Sequence, residues 1–395
     1  SALGPSPLLR QAADLTGAYG LTGLVVVVNT LLAAAIAGRP GAWRRPVAAA
    51  AALLASTLAY GATRLAEPPE PIVSTRDATI AIVQGNLAAG ALPLPATLDD
   101  AWRRYAQLTD SLTPRSDLIV WPENALPVYL RDSPEIQRRL AALLRPLRRP
   151  LLLGALDADR GAAGERNSAY LMEPDGLAAV RHKTALVPFG EYVPGAQWWP
   201  ALRRWRTTGG FGAGAGQAPL VVRLGDRSSA LAVTICFEAI HPGAFNAMVR
   251  QGAALLVNLT DDAWFASPRA AAQHLEMTRL RAVETRRWLV RASNSGVSAF
   301  VDPSGRIVAS LPFDRAGTLA QRVRPADGIS WYVRCGEAPL FAVAALALAA
   351  ALFRTQREGE TPAEPPVHCG MARREARHPE DQARSKRSSS DCSPA

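Results

Sequence analysis

A chain of 395 residues, 48% of them apolar, with a mean hydropathy of +0.02, is more apolar than a soluble domain with a long charged tail would be. Its length fits two or three average domains, or one large domain with membrane segments at its ends. The formal net charge of +10 comes from scattered arginines, with no basic helix and no RNA-binding or helix-turn-helix pattern, so a nucleic-acid partner is set aside.

Residues 18–37, AYGLTGLVVVVNTLLAAAIA, form an uncharged run of about the length a helix needs to cross a bilayer. A second run, residues 47–63, follows closely. Arg39, Arg44 and Arg45 lie between them, and the positive-inside rule puts that loop in the cytoplasm and the end of the second helix outside. A signal peptide competes for the first run because Ala35-Ile36-Ala37 mimics a cleavage site. The run is long for a signal core, however, and its arginines lie on the far side. Residues 1–66 therefore read as a membrane segment with two transmembrane helices, and the opening on Ser1 close to a membrane helix suggests that sequence is missing upstream. Residues 67–77, with three prolines, read as a linker.

Beyond the linker, strand and helix patterns alternate. Apolar, β-branched runs predict strands at residues 79–83, 117–121, 151–156, 230–236 and 254–259, with amphipathic stretches between several of them. The pattern indicates an α/β domain with buried sheets, residues 78–330. Shorter strand pairs around Gly176 and Gly305 predict hairpins added to the sheet. Residues 338–353 form a short apolar run followed by Arg354 and Arg357, which predicts a C-terminal transmembrane helix leaving on the cytoplasmic side. Residues 354–395, rich in Pro, Ser and mixed charges, predict a disordered tail.

Three segments of the body each place an ionisable residue at the end of an apolar strand, where a rigid backbone opens into a loop. They are LIVWPENALP with Glu123, RHKTALVPFGEYVP with Lys183, and LAVTICFEAIHP with Cys236. Glu123 emerges beside Trp121, an apolar wall that raises a carboxyl toward the range of a general base. Lys183 is one of only two lysines in the chain, the other being Lys386 in the tail. A lysine that survives such a bias toward arginine points to a need for a compact ammonium. The four cysteines, Cys236, Cys335, Cys369 and Cys392, lack zinc-ligand or dense-disulfide spacing, so no metal is indicated; no cofactor is called for. Cys236 alone lies in a strand-like segment of the body, ahead of a helix beginning near Pro242.

Singly, a strand-end Glu reads as a solvated loop residue, a lone Lys as a surface charge and a strand Cys as core. Together they supply a base, a cation for a developing oxyanion and a nucleophile, the minimum set for covalent acyl transfer. No Ser-His-Asp set competes, because His182, His241 and His274 lack a G-x-S-x-G elbow.

Residues 78–323 resemble the nitrilase, or carbon-nitrogen hydrolase, superfamily, and within it the apolipoprotein N-acyltransferase family of bacterial membrane enzymes. The matching stretches are IAIVQGN, DLIVWPENALP, HKTALVPFGEYVP, TICFEAIHP, TDDAWF and RASNSGVSAFVDPSGRI. The resemblance implies a four-layer α-β-β-α sandwich, with Glu123 as general base, Lys183 as oxyanion stabiliser and Cys236 as nucleophile. It further implies that Glu191 and Glu238 orient the lysine and shape the site, and that Phe237 lends its backbone N–H to the oxyanion.

Four departures stand out. LAAGALPLP follows VQGN where the family often has a Lys-Trp pair, Asp261 stands where Asn is usual, Ala266 stands where Gly is common, and the family's larger membrane bundle precedes residue 1.

The function implied is transfer of a fatty acyl chain from a phospholipid, through a Cys236 thioester, to the amine of a diacylglyceryl-modified apolipoprotein. It would take place at the bacterial inner membrane, with the catalytic domain outside the cytoplasm. A membrane-anchored amidase or nitrilase acting on a small C–N substrate, or a non-catalytic fragment, are the alternatives. The stretch QWWPALRRWR, residues 197–206, suits a lipid headgroup zone or, equally, an ordinary packed helix.

Overall fold

The structure, a computed structural model, describes residues 6–38, 41–67, 77–88, 95–112, 116–158, 165–196, 198–205, 210–265 and 267–359. Most of the expected linker and the tail beyond residue 359 therefore lie outside the described residues, as do Arg39, Gln197, Arg206 and Ala266.

Three helices open the chain: α1 (Pro7–Arg10), α2 (Ala13–Ala37) and α3 (Arg44–Ala66). The body then runs β1 (Ala78–Gln84), α4 (Pro95–Asp110), β2 (Leu118–Val120), β3 (Leu126–Tyr129), α5 (Pro134–Leu147), β4 (Leu151–Ala158), β5 (Glu165–Glu173) and β6 (Gly176–His182). Its second half runs β7 (Leu220–Leu224), β8 (Arg227–Ile235), α6 (Pro242–Arg250), β9 (Leu255–Thr260), α7 (Pro268–Thr285), β10 (Leu289–Ser293), β11 (Ser298–Val301), β12 (Ile307–Leu311), β13 (Gly317–Val323) and α8 (Trp331–Cys335). The last helix, α9 (Ala338–Gly359), runs six residues past the end at 353 expected from the sequence, so the expected tail begins as helix.

Two mixed sheets form the body. One has the order β13-β1-β2-β4-β5-β6, with β3 added against β4, and the other has the order β12-β11-β10-β9-β8-β7. Each half is wound the same way: central parallel strands (β1, β2 and β4; β8, β9 and β10) are extended at the sides by antiparallel hairpins. Strands buried on both faces need mostly apolar runs, and β1, β4, β8 and β9 have them, with Asn258 as the polar interruption in β9.

Three cores fix the layers. Ile80, Ile82, Val120 and Leu152 of the first sheet interdigitate with Val233, Ile235, Val257 and Val290 of the second. The other face of the first sheet packs Val83, Ile119 and Leu153 against Tyr105 of α4 and Leu140 and Leu144 of α5. The other face of the second packs Ala232, Leu256 and Leu289 against Phe245 and Met248 of α6 and Leu275 and Ala282 of α7. The result is the four-layer α-β-β-α arrangement, with the parallel strands of both sheets ending in the loops that carry the candidate chemistry.

Four strands carry no clear apolar run. β3 is four residues long and contains Pro127, and β7 is an edge strand with Val221 and Arg223 exposed. β13 is half-buried and polar, and β10 is broken by Arg291, which is fully buried against Asp262.

The N-terminal helices dock on the outer helical layer of the second sheet. Asp14 of α2 accepts from Arg286 at 2.6 and 2.8 Å, from Arg64 of α3 at 3.2 Å and from the Tyr60 hydroxyl at 2.8 Å. The chain kinks at Gly17, whose φ of +67° avoids the cost other residues bear there. Tyr332 occupies the space a Cβ would need. The kink frees the Ala18 N–H to donate to Glu284 Oε1 at 2.8 Å. Beyond it, α2 and α3 are long and apolar enough to cross a membrane.

Candidate active site

Cys236 sits one residue past the end of β8, where the sequence pattern placed it inside the strand. Its φ of +51° is left-handed and uncommon for a non-glycine residue, so the side chain leaves the sheet at a sharp turn into the 3-10 segment Cys236–Ile240. Two anchors hold that turn. The Ile235 N–H donates to Glu238 Oε2 at 2.8 Å, and Asn258 Nδ2 on β9 donates to the Cys236 carbonyl at 3.4 Å. The ring of Phe237 packs edge-on against His241, leaving its amide in the turn directly after the sulfur.

Glu123 follows β2 and is buried. Its Oε1 accepts from Asn167 Nδ2 at 2.7 Å and its Oε2 from the Asp261 N–H at 2.8 Å, so one carboxylate is gripped by both halves of the sandwich. Lys183, directly after β6, is 1% exposed. Its Nζ donates to Glu191 Oε1 at 2.7 Å and stands 3.7 Å from Glu123 Oε1. Glu191 is fixed in turn by the Val187 N–H at 2.8 Å on its other oxygen.

Glu238 joins the nucleophile turn to the lysine loop. It is fully buried, and its Oε1 accepts from the Thr184 N–H and hydroxyl at 2.6 Å each and from the Ala185 N–H at 3.2 Å. All six residues singled out from the sequence thus lie in one cluster. Glu191 is bonded directly to the lysine, whereas Glu238 holds the loop after it, through the Thr184 and Ala185 amides and the Thr184 hydroxyl, with Arg181 3.6 Å away.

The charges in this cluster are strongly coupled. Burial, with the Glu191 carboxylate adding to it, pushes the Glu123 carboxyl up, and the Lys183 ammonium and two hydrogen bonds offset this only in part. Burial works against the Lys183 ammonium, but Cys236, once its sulfur is ionised, and the Glu123 and Glu191 carboxylates outweigh it and hold the group protonated. Burial and the Glu123 carboxylate hold Cys236 as a thiol against the pull of Lys183. The arrangement therefore sets a neutral thiol and a carboxyl of raised proton affinity around one fixed cation.

Three supporting residues carry no sequence signal. Asn167 lies mid-strand in β5, Asn258 mid-strand in β9, and Arg291 bonds Asn258 from β10. A Ser-His-Asp set also exists in space: Ser168 Oγ lies 2.8 Å from His182 Nδ1, and His182 Nε2 lies 3.6 Å from Asp157. Ser168 is fully buried in β5, which closes it to any substrate. The stretch around the 3-10 segment Pro200–Trp205 does not form the packed helix that was one reading of it: Trp198, Trp199 and Trp205 are 83%, 68% and 56% exposed.

Residues 79–332 match the family model described as carbon-nitrogen hydrolase. The chain is 37% identical over 356 residues to a protein of Geobacter metallireducens named apolipoprotein N-acyltransferase, covering 87% of this chain and 67% of that protein. It is 36% identical over 369 residues to one of the same name from Bradyrhizobium diazoefficiens, covering 89% and 67% respectively. The chain thus spans about two thirds of the length of these relatives. Among solved structures, the C. elegans NitFhit protein superposes with a TM-score of 0.51 at 19% identity, over 68% of this chain and 65% of that one, a likeness of fold.

Proposed function

This chain belongs to the apolipoprotein N-acyltransferases of the carbon-nitrogen hydrolase family, and from that premise we propose that it transfers a fatty acyl chain from a phospholipid, through a thioester on Cys236, to the N-terminal amine of a diacylglyceryl-modified apolipoprotein. The observation that carries the chemistry is the buried Glu123–Lys183–Glu191 cluster opposite the strained Cys236 turn. It supplies a base, an oxyanion cation and a nucleophile without a metal. The exposed Trp198, Trp199 and Trp205 suit a headgroup zone, where a donor held in lipid is within reach. Together with the apolar α2, α3 and α9, they support placing the enzyme in the bacterial inner membrane with the catalytic body on the extracytoplasmic side.

Two half-reactions follow. Glu123 takes the Cys236 proton as the sulfur attacks the phospholipid ester carbonyl, and the oxyanion is held by Lys183 Nζ and the Phe237 N–H. Collapse expels the glycerol oxygen, which takes the proton from Glu123 and leaves as lysophospholipid. The acceptor amine then attacks the thioester, gives one proton to Glu123, and expels the Cys236 sulfur, which regains that proton. With no acceptor present the thioester accumulates.

Incubating the protein with phospholipid vesicles and measuring intact mass therefore shows one fatty acyl adduct on the wild type, none on Cys236→Ala, and loss of the adduct in hydroxylamine. A short-chain activated ester offered in detergent gives the corresponding short adduct. A small-amide hydrolase releases ammonia from its substrate and carries no lipid adduct. Absence of acylation with both donors in a folded sample would sink the proposal.

A further inference from the structure

The loop after β9 sets the main chain of a residue with a second buried carboxyl against the base. Asp261 is 5% exposed, and its backbone N–H donates to Glu123 Oε2. Its own carboxyl is thinly supported. Oδ1 accepts from the Ala263 N–H at 3.2 Å and from Asn294 Nδ2 at 3.3 Å, both at the long end of hydrogen bonding. The next residue makes the contrast: Asp262 is answered by Arg291 at 2.8 Å and His274 at 2.9 Å, which together hold it ionised although burial opposes that.

The titratable groups facing Asp261 are Glu123 from the β2–β3 loop, Asp262 beside it in the chain and Tyr105 from α4. Lys183 and Glu191 stand behind Glu123, and Arg291 and His274 behind Asp262. Burial and the Glu123 charge push Asp261 up to about 7, so its charge changes within the working pH range. The Cys236 thiol, by contrast, takes its electrostatics chiefly from Glu123, Lys183 and Asp262. A charge on Asp261 therefore bears on the reactant anion at Glu123 more than on the anion that replaces it beside Lys183.

We propose that Asp261 is a positioning residue that strengthens the base: its ionised carboxylate disfavours negative charge on Glu123 and so drives the Cys236 proton onto Glu123 as the thioester bond forms. The proton passes from sulfur to a Glu123 oxygen, the sulfur pair forms the S–C bond, and the carbonyl π pair moves to the oxygen facing Lys183. The Glu123 carboxylate becomes a better proton acceptor as Asp261 ionises. The inference rests on the acyl-transfer reading of the site.

The test is the pH dependence of the acylation burst of the full chain in detergent with a short-chain p-nitrophenyl ester, read at an isosbestic wavelength. Wild-type burst rates rise in two steps, the upper one centred near pH 7, and Asp261→Asn keeps the lower step and loses the upper. The wild-type to variant ratio then grows from about one near pH 6 to about 3–10 above pH 8, the scale of one neighbouring charge acting on a base. Should Asn unfold the protein, Asp261→Ser is read in the same way. The wild type also gives a second readout, a protonated-carboxyl infrared band that disappears as pH rises through about 7 and is lost from the difference spectrum in Asp261→Asn, which separates it from Glu284, also pushed up to about 7. A ratio constant at every pH, an upper step that survives both substitutions, or no such band overturns the role of Asp261. A wild type that gives no burst at any pH overturns the acyl-transfer reading and this inference with it.

Discussion

Lys183 shows what a single side chain contributes. Arginine is this chain's ordinary cation, yet here an ammonium is enclosed by Glu123 and Glu191 and is 1% exposed. A guanidinium is larger, forked and unable to present one compact donor to a thioester oxygen. Lys183→Arg keeps the charge and is expected to slow acylation of Cys236 by at least about 100-fold, the scale of losing one oxyanion donor. Burst kinetics measure this directly, and a variant close to the wild-type rate would make Lys183 a surviving structural cation. The scarcity of lysine made this residue legible before any geometry. Asn167 and Asn258 were not legible, because an amide in the middle of a strand looks the same whether it satisfies itself or holds a catalytic group. Only the 2.7 Å contact of Asn167 with Glu123 separates the two.

At the level of elements, the central strands could be read because burial on both faces favours mostly apolar runs, and β1, β4, β8 and β9 have them despite Asn258 in β9. The hairpins β5–β6 and β11–β12 were legible from their turns at Gly176 and Gly305, but β7 and β13 lie at the sheet edges, and β10 buries an arginine whose partner is set by the fold. One close approach between elements bears on the proposed base. Gly154 on β4 passes so near the base loop that a Cβ there would lie 2.5 Å from Glu123 Cα, 2.6 Å from Asn124 N and 2.7 Å from Pro122 O. All three are backbone atoms, so the loop itself must move. Gly154→Ala is expected to cost about 1–3 kcal/mol in stability by overpacking. It is also expected to lower the acylation rate by about 10–100-fold as Glu123 shifts from its place. Urea unfolding and burst kinetics read the two effects separately, and a variant with an unchanged burst rate would show that the loop yields without displacing the carboxylate.

For the whole molecule, the argument turns on how the catalytic body is tied to the apolar helices. Asp14 and Ala18 of α2 are bound to Arg286 and Glu284 at the end of α7, so the first apolar helix leaves the body from a fixed point rather than through a loose connection. Breaking one partner of a buried charge pair is costly, and this makes the attachment part of the fold. Since α2 and α3 are joined by a short segment with Arg44 and Arg45 at its end, one orientation satisfies both the positive-inside rule and the tether: the arginine loop inside, the body outside. Cysteine labelling in a Gram-negative host checks this, using this chain with its four cysteines replaced. With the outer membrane permeabilised, an impermeant maleimide is expected to label Arg138→Cys on the exposed face of α5 in intact cells, and to reach Ala42→Cys only after lysis. Labelling of Ala42→Cys in intact cells, with Arg138→Cys protected, would invert the orientation and remove the site from the side where a lipoprotein acceptor is met.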